Sequence, residues 1–420
     1  MDIKLENLAQ QLNKDVEYLL ADKNKKIGIS FSLPKFYQGE EIAHISKVSS
    51  TIAPCGKIAV VYLKQTFDKI GAELTKQIKN ANCIPLNFIM PESEEEQEFF
   101  SVENFAELFY FPEDVRAVVT VDNSIISQVC YYASVINIPV IYSINNINSQ
   151  TILPYGVFVK NKGNVEYVKL CCEQHIILNH LALGLDKNNF IDLYAEIVSK
   201  TPAFIDYRIK RFLCGGKNDS IAYEYARHAV SQTFSAIKFE NKNKFAIIYY
   251  NLIKIQLANF FAEGRLFDFS AVEMALKLIK KKQSAISLNL CQKILQIYAL
   301  CFSGKYEATM LFPDYLKRAE SLSFATGEKS ATFIKSFKYQ KNIISKWAKK
   351  IEEVKKILLE ETESLAKAIE IARQTYIAFG GKEISCDLEE LNTSIKYAGD
   401  LPNTFNGITL ARESGITELI

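Results

Sequence analysis

Hydrophobic residues in the first half of the chain form short runs that alternate with segments of helical spacing. Residues 57–63 (KIAVVYL) are rich in Val and Ile, which is typical of a buried strand in a parallel sheet. Similar runs predict three more strands, at 83–89, 117–121 and 139–142. Helical spacing predicts helices at 67–78, 102–108 and 124–135. Strands that alternate with helices predict a parallel sheet covered on both faces, with ligands at the carboxyl ends of the strands.

A hairpin and a long helical region follow the fourth predicted strand. Residues 156–159 and 165–168 flank a segment with turn chemistry, Asn161-Lys162-Gly163-Asn164. From about residue 190 to 380 apolar residues recur every three or four positions, and Gly380-Gly381 is a typical helix stop. The predicted fold class is therefore a Rossmann-like α/β amino-terminal domain followed by an all-α carboxy-terminal domain. We expect a helix and connector at 1–50, the Rossmann-like domain at 51–185 and the helical domain at 186–420; whether residues 1–50 add a strand stays open.

Composition and charge narrow the classes of function. Lys plus Arg number 50 and Asp plus Glu 48, and this net charge of +2 gives no case for binding nucleic acid or an anionic membrane. We expect no signal peptide, and no apolar stretch approaches the roughly 20 residues that a membrane span needs. Nine scattered cysteines without a CxxC pair argue against a disulfide framework and predict a cytoplasmic protein.

Three segments carry a resemblance to a known family. Residues 117–163 (AVVTVDNSIISQVCYYASVINIPVIYSINNINSQTILPYGVFVKNKG) match it without gaps, residues 195–209 (AEIVSKTPAFIDYRI) match a second motif, and residues 398–420 match its carboxy-terminal end. The chain resembles the dehydroquinate synthase-like and iron-containing alcohol dehydrogenase superfamily, above all its sn-glycerol-1-phosphate dehydrogenase branch. The resemblance implies the dehydroquinate synthase-like fold and a homo-oligomer. It also implies that NAD(P) binds on a glycine-rich turn and that one Asp and two His hold a divalent metal.

The cofactor motif departs from the family pattern. Its glycine-rich turn falls on Val121-Asp122-Asn123-Ser124, which contains no glycine, and its nicotinamide-side threonine falls on Asn145. The carboxylate of Asp122 would repel a pyrophosphate. We therefore take Asp122, Asn123, Ser124 and Asn145 as candidate cofactor-binding residues, although NAD(P) itself is in question. Alternatively, Asp122, Asn123 and Ser124 cap the helix that starts at Ile125.

The metal motif departs further. The chain has four histidines and none after His228, so both His ligands of the family are missing. We therefore expect no Zn, Fe or Ni site of the family type. The aspartate that binds the metal in the family corresponds to Glu196 in this sequence, and a second aspartate of the family site corresponds to Gln150. The candidate catalytic residues are therefore Glu196, Lys200 and Gln150. Lys200 and Asp206 match the family motif, and a Lys–carboxylate contact within the helical domain explains them equally well.

Three functions are consistent with these residues. The first is a glycerol-1-phosphate dehydrogenase-like protein that has lost its site and has a binding or structural role. The second is an active NAD(P)-dependent oxidoreductase on glycerol phosphate or a related polyol, with a non-standard metal site that uses Glu196 and Gln150, or with a metal-free general acid. The third is a protein that binds a small molecule in the interdomain cleft without redox chemistry.

Overall fold

A computed structural model of the chain describes most of its residues, in segments separated by gaps. The described residues are 3–23, 32–90, 100–101, 112–145, 152–161, 164–185, 190–214, 219–238, 243–279, 284–303, 341–382, 388–399 and 406–409. The strands are β1 Lys35–Gln38, β2 Lys57–Leu63, β3 Ile84–Met90, β4 Phe100–Ser101, β5 Val115–Thr120, β6 Val140–Ile144, β7 Gly156–Asn161, β8 Asn164–Lys169 and β9 Gln174–Leu178.

Six of these strands form one parallel sheet in the order β1-β9-β6-β5-β2-β3. Alternate residues of β2 point to opposite faces: Ala59 and Val61 join one hydrophobic core, and Ile58, Val60 and Tyr62 join another. Because both faces are covered, the strands read as continuous apolar runs. This is why β2 has the bounds that the sequence predicts, and β5 and β6 lie within two residues of theirs.

The helices surround the sheet and then form the second half of the chain. They are α1 Leu8–Lys23, α2 Glu41–Ile52, α3 Ala72–Asn80, α4 Ile126–Val135, α5 His180–Leu185, α6 Phe190–Ser199, α7 Thr201–Cys214, α8 Ser220–Lys238, α9 Lys244–Phe261, α10 Ala271–Leu278, α11 Ser284–Ser303, α12 Lys341–Ala378 and α13 Leu388–Ala398. Short helical turns at Lys64–Thr66 and Phe67–Gly71 lead into α3. The predicted helix at 102–108 lies outside the described residues.

The predicted hairpin and helix stop are both confirmed. β7 and β8 pair antiparallel from Gly156 opposite Lys169 to Asn161 opposite Asn164. After α12, Gly380 adopts a φ of 86°, and the N–H of Gly381 donates to the carbonyl of Tyr376 at 2.9 Å. A left-handed residue followed by such a bond is a common end of a helix, and glycine adopts it without strain.

The first 50 residues hold more than a helix and a connector. β1 pairs in parallel with β9 at the edge of the sheet, and α2 follows it. Asn13 of α1 bonds to both backbone groups of Phe36, at 2.9 and 3.1 Å, and Asp15 accepts the hydroxyl of Tyr250 on α9 at 2.5 Å. The amino-terminal helix therefore contacts both the sheet and the helical half. The sequence analysis missed β1 and β9, because β1 has only four residues and β9 starts with Gln174 and His175.

One described helix is longer and more apolar than the sequence analysis expected. α11 has 20 residues and is, by length and composition alone, apolar enough to cross a membrane. However, most of it is buried inside the structure. α11 packs against α12, α6 and α10, as a core helix does.

Candidate functional site

The strand order of the sheet reverses between β2 and β5. From β2 the chain continues to β3 on one side, and from β5 it continues to β6 on the other. In an open α/β sheet a ligand binds at this reversal, outside the carboxyl ends of the strands. Asp122, two residues after β5, lies in this position. Its carboxylate accepts the backbone N–H of Leu63 at 2.8 Å and the hydroxyl of Thr66, so it joins the ends of both strands.

The carboxylate of Asp122 lies at the amino end of a helical turn, a place that attracts negative charge. Leu63 directly precedes the helical turn Lys64–Thr66, and the amino end of a helix attracts negative charge. Asp122 is 8% exposed, and its burial raises the pKa of the carboxyl, while the hydrogen bonds from Thr66 and Leu63 lower it. The expectation that Asp122 caps the following helix is wrong, because its side chain makes no capping bond to the turn Asn123–Ile125.

The other candidate cofactor-binding residues join neighbouring strand ends to one another. Asn123 donates to the carbonyl of Ser143 at 2.8 Å and accepts the N–H of Asn145 at 3.3 Å. The side-chain oxygen of Asn145 accepts from Ser143 and Asn179, at 2.8 and 3.3 Å. Ser124 is exposed. The structure thus brings Asp122, Asn123 and Asn145 together at the carboxyl ends of the strands. Most of their polar groups form hydrogen bonds with each other and with adjacent strands.

Glu41 adds a second carboxylate to this edge, and the sequence analysis missed it. It is the first residue of α2, and it accepts a hydrogen bond from the amide of Asn145. Burial raises the pKa of Glu41, the Asn145 bond lowers it and the negative charge of Asp122 raises it. The only sequence signal is an acidic residue in the first turn of a helix after an unrecognised strand.

A dinucleotide does not fit the residues at the strand reversal. Its pyrophosphate needs free backbone N–H groups at a helix amino end. In the turn 121–124 and at its end, the N–H of Asp122 bonds to the Thr120 hydroxyl and the N–H of Ile125 to the carbonyl of Asp122, and the Asp122 carboxylate is buried there. Because Asp122 and Glu41 interact through their charges, a pyrophosphate would meet two carboxyl groups at this edge.

Two candidate catalytic residues, Glu196 and Lys200, form an acid–base cluster with Glu273, which was not a candidate from the sequence. Lys200 makes an ion pair with Glu273 of α10, and both side chains are largely buried, with 14% and 20% exposed. Burial raises the pKa of Glu196 to about 7, the charge of Lys200 lowers it and that of Glu273 raises it. The sequence contains a signal for Glu273, since Ser270-x-x-Glu273 has the spacing of a capping box. The Ser270 hydroxyl does accept the N–H of Glu273, while the Glu273 carboxylate bonds to Lys200.

A divalent metal does not fit this cluster. The charge of Glu196, at the position of the family's metal ligand, is offset by the ammonium group of Lys200, which already holds Glu273. Among the described residues, no three His, Cys, Asp or Glu side chains are grouped so that they could hold a metal ion. Gln150, the remaining candidate, lies outside the described part of the chain.

Asp206 does not contact Lys200; it organises the helical core. Its carboxylate accepts the backbone N–H of Ala271 at 2.8 Å and of Gly407 at 2.7 Å, and the hydroxyl of Tyr298 at 2.5 Å. Burial raises the pKa of Asp206 to about 6, against the lowering effect of these hydrogen bonds. Asp206 therefore joins α7, the start of α10, α11 and the segment 406–409.

The hairpin contacts the helical half through aromatic rings. Tyr167 of β8 donates its hydroxyl to Asp268, and the rings of Phe158 and Tyr167 lie 5.8 and 4.7 Å from that of Phe269. Gly264 has a φ of 76°, and a Cβ there would lie 2.5 Å from the Tyr167 hydroxyl. Side chains of the hairpin thus occupy space beside the acid–base cluster.

Solved structures are similar to this chain over nearly its whole length at low sequence identity. Alcohol dehydrogenase from Oenococcus oeni has 12% identity and a TM-score of 0.54, and covers 92% of this chain and 99% of its own. Glycerol dehydrogenase from Schizosaccharomyces pombe has 12% identity and a TM-score of 0.50, with 94% and 92% covered. An iron-containing alcohol dehydrogenase from Thermotoga maritima has 11% identity and a TM-score of 0.50, with 94% and 99% covered.

No protein-family model matches the sequence, and a search of curated proteins gives no significant match. At 11–12% identity the structural similarity shows a shared fold and no more. The chain therefore has the dehydroquinate synthase-like fold of the iron-containing alcohol dehydrogenases, as its sequence predicts.

Proposed function

We propose that this chain is a non-catalytic protein with the fold of glycerol and alcohol dehydrogenases, and that it has a binding or structural role. The observation that carries the proposal is the bridge from Asp122 to Leu63 and Thr66, because it puts a negative charge where the pyrophosphate of NAD(P) would bind. The Lys200–Glu273 ion pair supports the proposal independently. In the helical half, the ammonium group of Lys200 pairs with a carboxylate that would otherwise be available to a metal ion. Two separate parts of one dehydrogenase site are thus altered.

Calorimetric titration with NADH and NADPH tests the proposal directly. We expect no saturable binding to the wild-type protein up to millimolar cofactor, and the same result for Glu113→Ala, an exposed control. Asp122→Gly removes the carboxylate and should give the only measurable affinity for cofactor, because it frees the N–H of Leu63. Micromolar binding to the wild type would contradict the proposal.

An activity assay provides the second test. Glycerol phosphate is supplied with NAD(P) and dihydroxyacetone phosphate with NAD(P)H, at a protein concentration equal to that of the cofactor. Each assay is run with and without added Zn²⁺, Ni²⁺ or Fe²⁺. We expect no turnover in any of these conditions. Metal-dependent turnover would overturn both the non-catalytic role and our conclusion that a metal does not fit.

One observation favours a second function, an NAD(P)-dependent oxidoreductase that uses a general acid in place of a metal. A carboxyl with a pKa of about 7, such as that of Glu196, is suited to donate and accept protons near neutral pH. This function predicts metal-independent turnover that Glu196→Gln abolishes and that Glu353→Gln, an exposed control, leaves unchanged.

The partner that we propose for a structural role is a second copy of the chain. Large apolar side chains are exposed on two helices that pack together, with Leu300 of α11 58% exposed and Ile357 and Ile371 of α12 45% and 54% exposed. Exposed apolar groups of this kind mark protein interfaces when they are contiguous. Light scattering should give a mass of at least twice 47.7 kDa, and a monomer at all concentrations would contradict the homo-oligomer.

A further inference from the structure

A cavity of about 570 Å³ lies between the amino-terminal helix α1 and the antiparallel pair α8 and α9. Residues on one face of each helix line it: Gln11 and Asp15 are four apart on α1, and Tyr250 and Lys254 are four apart on α9. Helices that pack without a gap meet through apolar residues. Here polar residues of the three helices, together with the apolar Ile3, Ala236 and Ile247, surround an open space, which is the arrangement of a site for a ligand with polar and apolar parts.

The floor of the cavity is buried and charged, whereas its rim is open. Asp15, Tyr250 and Lys254 are 9%, 4% and 5% exposed, while Ser231 and Ser235 of α8 are exposed at the rim. The cavity is therefore a funnel that leads from solvent to a lysine and a carboxylate. It is separate from the strand reversal, since neither Leu63, Thr66 nor Asp122 lines it.

Lys254 lacks an acceptor for its ammonium group. Its Nζ lies 4.4 Å from the ring centre of Tyr225 and 5.4 Å from that of Tyr250, and within the described part of the chain it makes no hydrogen bond or ion pair. An ammonium group has three donors, and leaving them unsatisfied in a buried place is costly. Because Lys254 lines an open cavity, water or a ligand in that cavity supplies the acceptor. Burial lowers the pKa of Lys254, and the charge of Asp15 acts against this.

The other groups in the cavity select the ligand. Asp15 accepts the hydroxyl of Tyr250 and also interacts with the hydroxyl of Tyr225, and its carboxylate has lone pairs left for a donor such as a hydroxyl group. Gln11, Gln232, Ser231 and Ser235 offer neutral donors and acceptors along the walls. The single ammonium group of Lys254 balances one negative charge on a ligand. A dianionic phosphate would bring a second negative charge into the cavity, and Asp15 would repel it.

We propose that this cavity binds a small polyhydroxy carboxylate of the sugar-acid class, with its carboxylate on Lys254 and its hydroxyl groups on Asp15 and the Ser and Gln side chains. This site is independent of the proposed function, because no residue of the strand reversal or of the acid–base cluster lines it.

Three six-carbon probes test the assignment by calorimetry on the full chain. Gluconate carries both the carboxylate and the hydroxyl groups, sorbitol lacks the carboxylate and hexanoate lacks the hydroxyl groups. We expect saturable binding of gluconate with a Kd below about 1 mM, and binding of the other two at least about tenfold weaker. Equal binding of hexanoate, tighter binding of inorganic phosphate, or no binding of gluconate would overturn the proposal.

Three variants connect the binding to the cavity. Lys254→Met keeps the length of the side chain without its charge, and we expect it to weaken gluconate binding at least about tenfold. Ser231→Phe places a ring at the exposed rim and should weaken binding as much without altering the floor, so it decides the question if Lys254→Met does not fold. Lys47→Met, an exposed lysine on α2, should bind as the wild type does. Unchanged binding in Ser231→Phe would overturn the proposal.

Discussion

The carboxylate of Asp122 accepts the backbone N–H of Leu63 at 2.8 Å, across the point where the strand order of the sheet reverses. The same carboxylate accepts the hydroxyl of Thr66, so one side chain satisfies a backbone donor and a side-chain donor at the end of β2. A position that holds a ligand in other sheets of this type is here part of the protein's own hydrogen bonding.

Replacement of Asp122 should therefore cost stability. We expect Asp122→Ala to lower the free energy of unfolding by about 1–3 kcal/mol, because it leaves the N–H of Leu63 and the hydroxyl of Thr66 without their acceptor. Asp122→Asn keeps one carbonyl oxygen and should lose less. Urea unfolding measures both, with Glu113→Ala as an exposed control that should match the wild type. Equal stability of Asp122→Ala and the wild type would show that the bridge does not contribute.

The Lys200–Glu273 pair should behave as a coupled unit. Lys200→Met leaves a largely buried carboxylate without its partner, and we expect it to lower the free energy of unfolding by about 2 kcal/mol, below the range for a fully buried pair. Lys200→Met combined with Glu273→Leu should recover part of this loss, because neither charge then remains. A double-mutant cycle from urea unfolding measures the coupling, and strictly additive effects would count against the ion pair.

Asp206 should make stability depend on pH. Its pKa is about 6 in the folded protein against 3.8 for the free side chain, so the folded state binds more protons between these values. Stability therefore falls as pH rises through this window, and this one group accounts for a loss of about 3 kcal/mol.

Asp206→Asn removes that titration and tests its contribution. The difference in unfolding free energy between pH 4 and pH 7 should shift by about 2.4 kcal/mol relative to the wild type, in the direction of greater relative stability at pH 7. The exposed Glu353→Gln serves as the control and should keep the wild-type dependence. An unchanged pH dependence in Asp206→Asn would contradict the buried ionisation of Asp206.

The bond from Tyr250 to Asp15 should hold the amino-terminal helix on the helical half. Tyr250→Phe removes the hydroxyl that lies 2.5 Å from the Asp15 carboxylate, and we expect a loss of about 1–2 kcal/mol. Hydrogen exchange should increase in α1 more than in α11. Tyr18→Phe, at a ring that is 59% exposed, is the matched control, and equal protection of α1 in both variants would argue against this role.

Local patterns in the sequence are enough to predict the class of fold and the positions of six strands. The strand 57–63 was predictable to the residue, because a strand covered on both faces needs an unbroken apolar run. The hairpin and the stop at Gly380-Gly381 were predictable because turn and cap residues act locally. The absence of glycine from 121–124 and of histidine after residue 228 is likewise a property of the sequence alone.

The roles of the remaining residues depend on contacts between segments that are distant in the sequence. β1 has four residues, and its identity as a strand depends on pairing with β9, whose residues lie 140 positions later in the chain. Asp122 reads as a helix cap in the sequence, yet its carboxylate bonds to residues 59 and 56 positions earlier. Glu273 and Lys254 acquire their partners or their cavity from other helices. Contacts between distant segments depend on how the elements pack, and local propensity carries no information about them.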